Sequence, residues 1–298
     1  MRLSNLYGSL ATDGGAGARG RACLSNGAIV PGSDLALLFG GQAHVTIAPG
    51  GSVVSDGASM AVAPLQELAL SLFLPEPVAQ PTIHGAALQT AYGAPGEDLT
   101  AAVAFPTAEL TRRRYFVSDL EVTGSASRRA LAVVGDSISD GIGSTGGGNR
   151  RWTDALAERL QAMLRRRLRC RTRASLASNR LLRDGNEVYV GPSMLARFER
   201  DALDKPGVRW IILSAGINDI SASELQPDAP AEQASAQEII DGMKKLIRRA
   251  GKARAHLGRD PDSLRGHRRF LFGRRRPEAQ GRQCLDPQCG RIRCRGRF

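Results

Sequence analysis

The sequence predicts an α/β domain built on a parallel sheet over residues 128–250, preceded by an all-β sandwich or jelly-roll-like domain over residues 1–125. Three observations carry this reading. From residue 130 onward, apolar runs of strand length alternate with amphipathic stretches of helical period. Before residue 125 only short apolar runs occur, broken by Gly and Pro turns. Past Gly251 the periodicity stops, and the segment 251–298 holds too few apolar residues to bury a core. At 298 residues the chain is long enough for two domains, each with its own interior.

In the first domain, Ala36-Leu37-Leu38-Phe39, His44-Val45-Thr46-Ile47 and Leu68 to Leu74 read as strands, with Pro49-Gly50-Gly51 and Pro95-Gly96 as turns. A polar stretch, Gly124-Ser125-Ala126-Ser127, leads into the second domain. There Ala130 to Val134 reads as a buried strand, and Trp152, Leu156, Leu160, Met163 and Leu164 form a helical stripe. Ser193 to Leu203 is a second amphipathic helix, and Val208 to Leu213 a second buried strand. Ser235 opens another helix, with Ile239, Ile240, Met243, Leu246 and Ile247 on one face.

The chemistry-bearing residues stand where these strands end. The apolar run to Val134 breaks at Gly135 and delivers Asp136 and Ser137 onto a tight turn. This is how an α/β sheet presents a nucleophile at a strand's carboxyl end. Gly216-x-Asn218-Asp219 follows the second buried strand in the same way. Strand ends of a parallel sheet share one edge, so Ser137 and Asn218 can meet across 80 intervening residues. The Asn218 amide and the Ser137 N–H are then candidate donors to an oxyanion. Each motif also has a plainer reading: Gly-Asp-Ser as an ordinary turn, and Asn218 as a turn or helix-cap residue.

These blocks resemble the SGNH, or GDSL-type, hydrolases. Gly135-Asp136-Ser137 matches the first block, Gly216-Ile217-Asn218-Asp219 the third, and Asn179-Arg180-Leu181-Leu182 the end of the second. A β-rich leader followed by Gly-Asp-Ser-Ile-Ser-Asp-Gly is similar to the branch containing xylan-associated acyl hydrolases and arylesterases. The resemblance implies a flavodoxin-like three-layer α/β/α fold, a Ser–His–Asp triad, and hydrolysis of small-molecule or carbohydrate esters with no metal or other cofactor. Two departures stand out. Ser178 precedes Asn179 where the family's second block has a glycine whose N–H completes the oxyanion hole. The family's Asp-x-x-His is absent, so no catalytic His or Asp is assigned; His256 and His267 lack an Asp three residues earlier. His44 and His84 read as structural residues of the β-rich domain, Asp140 and Asp154 as turn and cap residues, and Trp152 as helix packing. Arg180 reads as facing either the substrate cleft or solvent.

The net charge of +12 is concentrated in two places. Residues 251–298 hold 14 Lys+Arg against 4 Asp+Glu, and residues 165–173 hold six arginines and no acid; the remainder is mildly acidic. Cys170, Cys284, Cys289 and Cys294 fall in the same two segments. A shifted reading frame in a GC-rich gene accounts for arginines, cysteines and lost periodicity together. Read from the third base of the Arg171 codon, residues 171–177 can encode Asn-Ala-Gly-Ile-Ala-Gly, which restores the missing glycine. Leu257 to His267, read one base later, can give Leu-Gly-Ala-Thr-Leu-Thr-Pro-Phe-Glu-Gly-Thr, an apolar strand and turn. Residues 9–24 are a third candidate. On this reading the catalytic Asp-x-x-His lies beyond residue 298.

Two other functions remain open: a catalytically inactive family member serving as a binding module, and a basic nucleic-acid-binding protein acting through its Arg-rich tail. The ester reading expects no nucleic-acid partner. The tail cysteines, five apart, include no Cys-x-x-Cys and have no His at finger spacing, so no metal is expected. No apolar run is long enough to span a bilayer. Met1 is followed by Arg2-Leu3 with no apolar leader and reads as starting inside a first strand. Family resemblance points to secretion or the periplasm, but no signal peptide is visible. Oligomeric state is not legible.

Overall fold

The structure is a computed structural model and describes residues 1–9, 11–15, 28–96, 98–104, 109–124, 129–163, 172–175, 180–185, 191–253 and 255–259. All of them lie in one compact unit, Met1–Asp260. Residues 1–124 hold nine short strands and, among the described residues, no helix. They are β1 (Arg2–Ser4), β2 (Thr12–Gly15), β3 (His44–Ile47), β4 (Ser52–Val54), β5 (Ile83–His84), β6 (Ala91–Gly93), β7 (Glu109–Thr111), β8 (Arg114–Tyr115) and β9 (Val117–Asp119). β1 runs antiparallel between β4 and β9, and β2–β3, β5–β8 and β6–β7 form antiparallel two-stranded ladders.

Alternation sets which side chains these strands bury. Leu3 and Ile47 turn inward and meet Met1, Leu37, Phe39 and Phe116 in a small apolar cluster. Asn5, wholly buried, holds the turn at Pro49-Gly50-Gly51. Its carbonyl accepts from Gly50 N–H (2.9 Å), its own N–H donates to the Gly51 carbonyl (2.8 Å), and its amide donates to the Ile47 carbonyl (3.0 Å). Two sequence expectations differ from what forms. Ala36–Phe39 makes only a bridge from Phe39 to Gln42, and Leu68–Leu74 makes no strand. Leu37, Phe39, Leu70 and Leu72 still reach the cluster, so apolar alternation secures burial here without a ladder partner.

The second half is a parallel sheet with helices. β10 (Ala130–Val134) is followed by α1 (Ser137–Asp140) and α2 (Trp152–Met163), and β11 (Thr172–Ser175) by α3 (Met194–Phe198), which runs on as a π-helical turn over Glu199–Leu203. β12 (Val208–Leu213) leads to α4 (Ile217–Leu225), and α5 (Ala236–Lys252) to β13 (His256–Arg259). The strand order is β11-β10-β12-β13, every pair parallel. β10 is the central apolar run, with Val133 and Val134 fully buried, as a strand covered on both faces requires. The helix expected after Ser235 forms, and Ser235 and Glu238 close a capping box at its start; of its expected face Ile239, Met243 and Leu246 turn to the core, whereas Ile240 and Ile247 are exposed. Ile239, Leu246 and Ala250 pack from it with Phe198, Met194 and Leu181 onto Val134, Ile211 and Leu213. α2 buries Thr153 and Ala157 more deeply than Trp152, Leu156 or Leu160, because its smaller side chains lie closest to the interior. α5 and β13 extend past residue 250, where the sequence pattern fades; β13 adds the sheet's edge strand. Residues 261–298, including the tail cysteines and His267, lie outside the described residues, as does Cys170.

Candidate active site

β10 ends at Val134, and the next three residues build the turn that carries Ser137. Gly135 is required by space: a Cβ there would overlap Ser139 Oγ and stand 3.2 Å from the Ser214 carbonyl oxygen. Asp136 caps α1, its carboxylate accepting from Ile138 N–H at 2.9 Å. Gly141, at φ +87°, ends this single turn of helix, and the Ser137 carbonyl accepts from Gly141 N–H (3.0 Å) and Ile142 N–H (2.9 Å). Ser137 itself is half-buried, and among the described residues no side chain hydrogen-bonds its Oγ.

The neighbouring strand ends in a matching turn. Ser214 N–H donates to the Val134 carbonyl at 2.9 Å, carrying the β10–β12 contact past the strand end. Gly216 caps α4 at φ +109°, a conformation L side chains rarely adopt. Asn218 is the half-buried second residue of α4. Asp219 is buried and faces the second block: its carboxylate accepts from Leu181 N–H (2.8 Å) and Leu182 N–H (3.0 Å). Burial pushes the Asp219 carboxyl above its ordinary range, opposed by those two N–H groups. Burial likewise raises Asp136, against its own N–H bonds, with the Asp219 charge adding to the rise. Ser139 and Ser214, flanking Gly135, have buried hydroxyls with no hydrogen-bond partner.

The model of the GDSL-like Lipase/Acylhydrolase family matches residues 133–280, a span that begins inside β10 and contains both turns. Residues 133–280 belong to this family. No curated protein matches the chain. Among solved structures the chain is similar to LAE5, an alpha/beta hydrolase enzyme from the metagenome of Lake Arreo, Spain, at 21% identity and TM-score 0.34, over 44% of this chain. It is also similar to Axe2, an acetylxylan esterase from Geobacillus stearothermophilus, at 19% identity and TM-score 0.31, over 46% of this chain. The matched region spans 59% of the length of each of these two enzymes.

Within the GDSL-like domain, Gly135, Asp136, Ser137, Gly216, Asn218 and Asp219 stand beyond the ends of adjacent parallel strands, on one edge of the sheet. Ser178 and Asn179 of the second block lie outside the described residues. Arg180, expected either at the cleft or in solvent, is partly buried and pairs with Glu232. Asp154 accepts from Arg151 N–H (3.0 Å) at the start of α2 and is the cap its position suggests. Asp140 is more than a turn residue: its carboxylate accepts from His84 Nε2 at 2.9 Å, across 56 residues of sequence. No local signal links those two residues. Among the described residues no group of three His, Cys, Asp or Glu is arranged to hold a metal ion, and no helix is long and apolar enough to cross a membrane.

A cavity of about 440 Å³ lies elsewhere, lined by Arg2, His84, Arg114, Arg200 and Lys205 among others, but not by Ser137 or Asn218. Its charges are largely mutually satisfied. Lys205 pairs with Asp119 at 2.9 Å, and Arg200 with Asp201 at 2.7 Å. Burial pushes Asp201 upward, but hydrogen bonds from Arg200 and the fully buried Arg197 outweigh it and hold the carboxyl below its ordinary range.

Proposed function

We propose that this protein is a serine ester hydrolase, with Ser137 as nucleophile and with the Ser137 N–H and Asn218 side chain as oxyanion donors. The observation that supports it is the pairing of two strand-end turns, Gly135-Asp136-Ser137 and Gly216-Ile217-Asn218-Asp219, on adjacent parallel strands of a GDSL-like domain. Ser137 Oγ attacks the ester carbonyl, the tetrahedral oxyanion is held by these donors, the alcohol leaves, and water hydrolyses the acyl-enzyme. Asp136 and Asp219 shape the site rather than react. The first caps the nucleophile helix, and the second fixes the backbone that follows the second block. We read residues 1–125 as a sandwich- or jelly-roll-like domain that shapes the cleft. Acyl groups on carbohydrate are the substrates to test first, following the resemblance of the nucleophile block and its β-rich leader.

The general base is the missing part. The sequence has no Asp-x-x-His, and among the described residues no histidine bonds Ser137. Without a base, turnover falls by several orders of magnitude. This observation favours a second reading, a family member that binds ester or carbohydrate without hydrolysing it. Resequencing the gene over codons 165–178 and 251–298, then assaying p-nitrophenyl acetate with Ser137→Ala as control, separates the two. A frame-restored protein is expected to hydrolyse the ester in a Ser137-dependent way, and the present chain to be slower by orders of magnitude. An unbroken frame, with no difference between this chain and Ser137→Ala, sinks the hydrolase reading and leaves the binding module.

A further inference from the structure

Ser137 sits on one turn of helix followed by a glycine-rich loop, Gly141 to Asn149, and such a segment does not hold its own shape. The structure shows what holds it. The stretch from His84 to Gln89, in the β-rich half, is bonded to it at successive points. His84 Nε2 donates to the Asp140 carboxylate at 2.9 Å. Arg151 bridges the two segments, its Nε donating to the Asp140 carbonyl (3.0 Å) and its Nη2 to the Ala87 carbonyl (2.7 Å). Gly147 N–H donates to the Leu88 carbonyl (2.7 Å), and the Gln89 amide donates to Asn149 Oδ1. Ala87 and Leu88 are buried, and Leu88 adopts φ +56°, a left-handed conformation that a leucine holds only under outside constraint.

Two features separate His84 from the other stitches. Its side chain bonds the side chain of a nucleophile-helix residue, Asp140, one helical turn after Ser137, whereas Arg151 bonds that residue's backbone carbonyl. Its other ring nitrogen, Nδ1, is buried and has no hydrogen-bond partner. A sealed nitrogen cannot exchange a proton with an ester at the half-exposed Ser137, so this His–Asp pair is not a displaced catalytic base. Its one formed bond is the one to Asp140. Arg114, opposite His84 in the β5–β8 ladder, and Arg151 are the other charged groups beside the pair.

We propose that His84 is a positioning residue for the nucleophile: through Asp140 it sets the turn that carries Ser137, so that the site depends on a side chain from outside the GDSL-like domain. The proposal rests on the hydrolase reading for its effect on rate, but not for its effect on the turn. The test uses the full chain with His84→Leu, Asp140→Ala, the double variant, and His84→Gln, whose amide nitrogen can replace Nε2 as donor. Amide hydrogen exchange is read residue by residue. In His84→Leu the Asp140, Gly141 and Ile142 amides, which close α1, are expected to exchange roughly 10–100-fold faster, as loss of one charge-assisted bond implies. The amides of β12 and α5 stay unchanged. Asp140→Ala gives the same pattern, the double variant adds nothing further, and His84→Gln restores protection. Where Ser137-dependent ester turnover is measurable, kcat falls by a similar factor with KM unchanged. Unchanged exchange at 140–142, or acceleration spread evenly over β12 and α5, overturns the proposal. Absence of Ser137-dependent turnover together with the local exchange pattern leaves the positioning role standing, and refutes the hydrolase reading alone when the gene's frame is unbroken over codons 165–178 and 251–298.

Discussion

Replacing Asp219 tests whether the third sequence block organises the second. The carboxylate of Asp219 accepts two backbone N–H groups, those of Leu181 and Leu182, and Leu181 is wholly buried. In Asp219→Ala both donors lose their partner. A buried unsatisfied polar group costs about 1–3 kcal/mol, so two cost roughly 2–6 kcal/mol. Part of this is returned, because burial already penalises the charged carboxylate and alanine has no such cost. A net loss of about 2–4 kcal/mol follows. Asp219→Asn keeps one acceptor oxygen and turns an NH2 toward the second N–H, so it should lose about half as much. Urea unfolding, with slopes compared to confirm an unchanged transition, gives both numbers. The exchange rates of the Leu181 and Leu182 amides show whether the loss is local. If Asp219→Ala stays within about 0.5 kcal/mol of wild type and the two amides remain protected, the carboxylate is not what holds this segment.

Gly216→Ala places an L side chain at φ +109°, with its Cβ 3.3 Å from Ile239 Cγ2, and should lose at least about 1–2 kcal/mol in urea unfolding; a neutral result would mean the α4 cap relaxes freely. Ser139→Ala removes a buried hydroxyl that has no partner and should be neutral or stabilising by up to about 1 kcal/mol, so a clear loss of stability would reveal a bond the structure does not show. Asp136 and Asp201 should give pH dependences of opposite sign. Burial raises Asp136 above 3.8 in the folded protein, so its contribution is full below that value and is lost as pH rises through the raised one; Asp136→Asn should therefore gain on wild type as pH climbs. Asp201 is held below 3.8, so its contribution is present above that value and lost as pH falls; Asp201→Asn should be penalised at neutral pH and lose less on acidification. Stability measured from pH 3 to 7 checks both signs, and parallel curves for either variant and wild type would contradict the assignment.

What the sequence made legible was local. Ala130–Val134 coincides with an uninterrupted apolar run and Val208–Leu213 with one broken by the exposed Arg209 near its start, because a strand covered on both faces has little polar side to encode. The helix after Ser235 was readable because Ile239, Met243 and Leu246 recur at helical spacing. The chemistry at both strand ends was readable because glycine, aspartate and asparagine fall where the backbone must turn. What escaped was non-local. β11 lies in a stretch whose composition obscured it, and takes its place by pairing with β10 rather than by its own pattern. In the β-rich half, strands of two to four residues pair across long separations, β5 with β8 and β1 with β9, where periodicity carries almost no signal. The His84–Asp140 bond, 56 residues apart, and the Asp219 bonds to Leu181 and Leu182 belong to the same class.

These two escapes have a common consequence for how the site is made. The residues that name the chemistry, Ser137 and Asn218, are held by carboxylates that follow them on the same elements, Asp140 on α1 and Asp219 on α4. Each carboxylate takes a donor from a distant segment: His84 in one case, the backbone at 181–182 in the other. A short helix started by a capped turn is poorly stable alone, so a bond to a separate, packed segment is what converts a turn into a fixed geometry. The first turn is thereby tied to the β-rich half and the second to the backbone leading from the second block. A change of sequence between residues 171 and 179 therefore bears on the oxyanion side of the site through Leu181 and Leu182. It touches the nucleophile side as well, because β11 pairs with β10 as far as Val134, whereas loss of the His84 bond bears on the nucleophile turn alone. Disturbing the two sides separately should damage the site in separable ways.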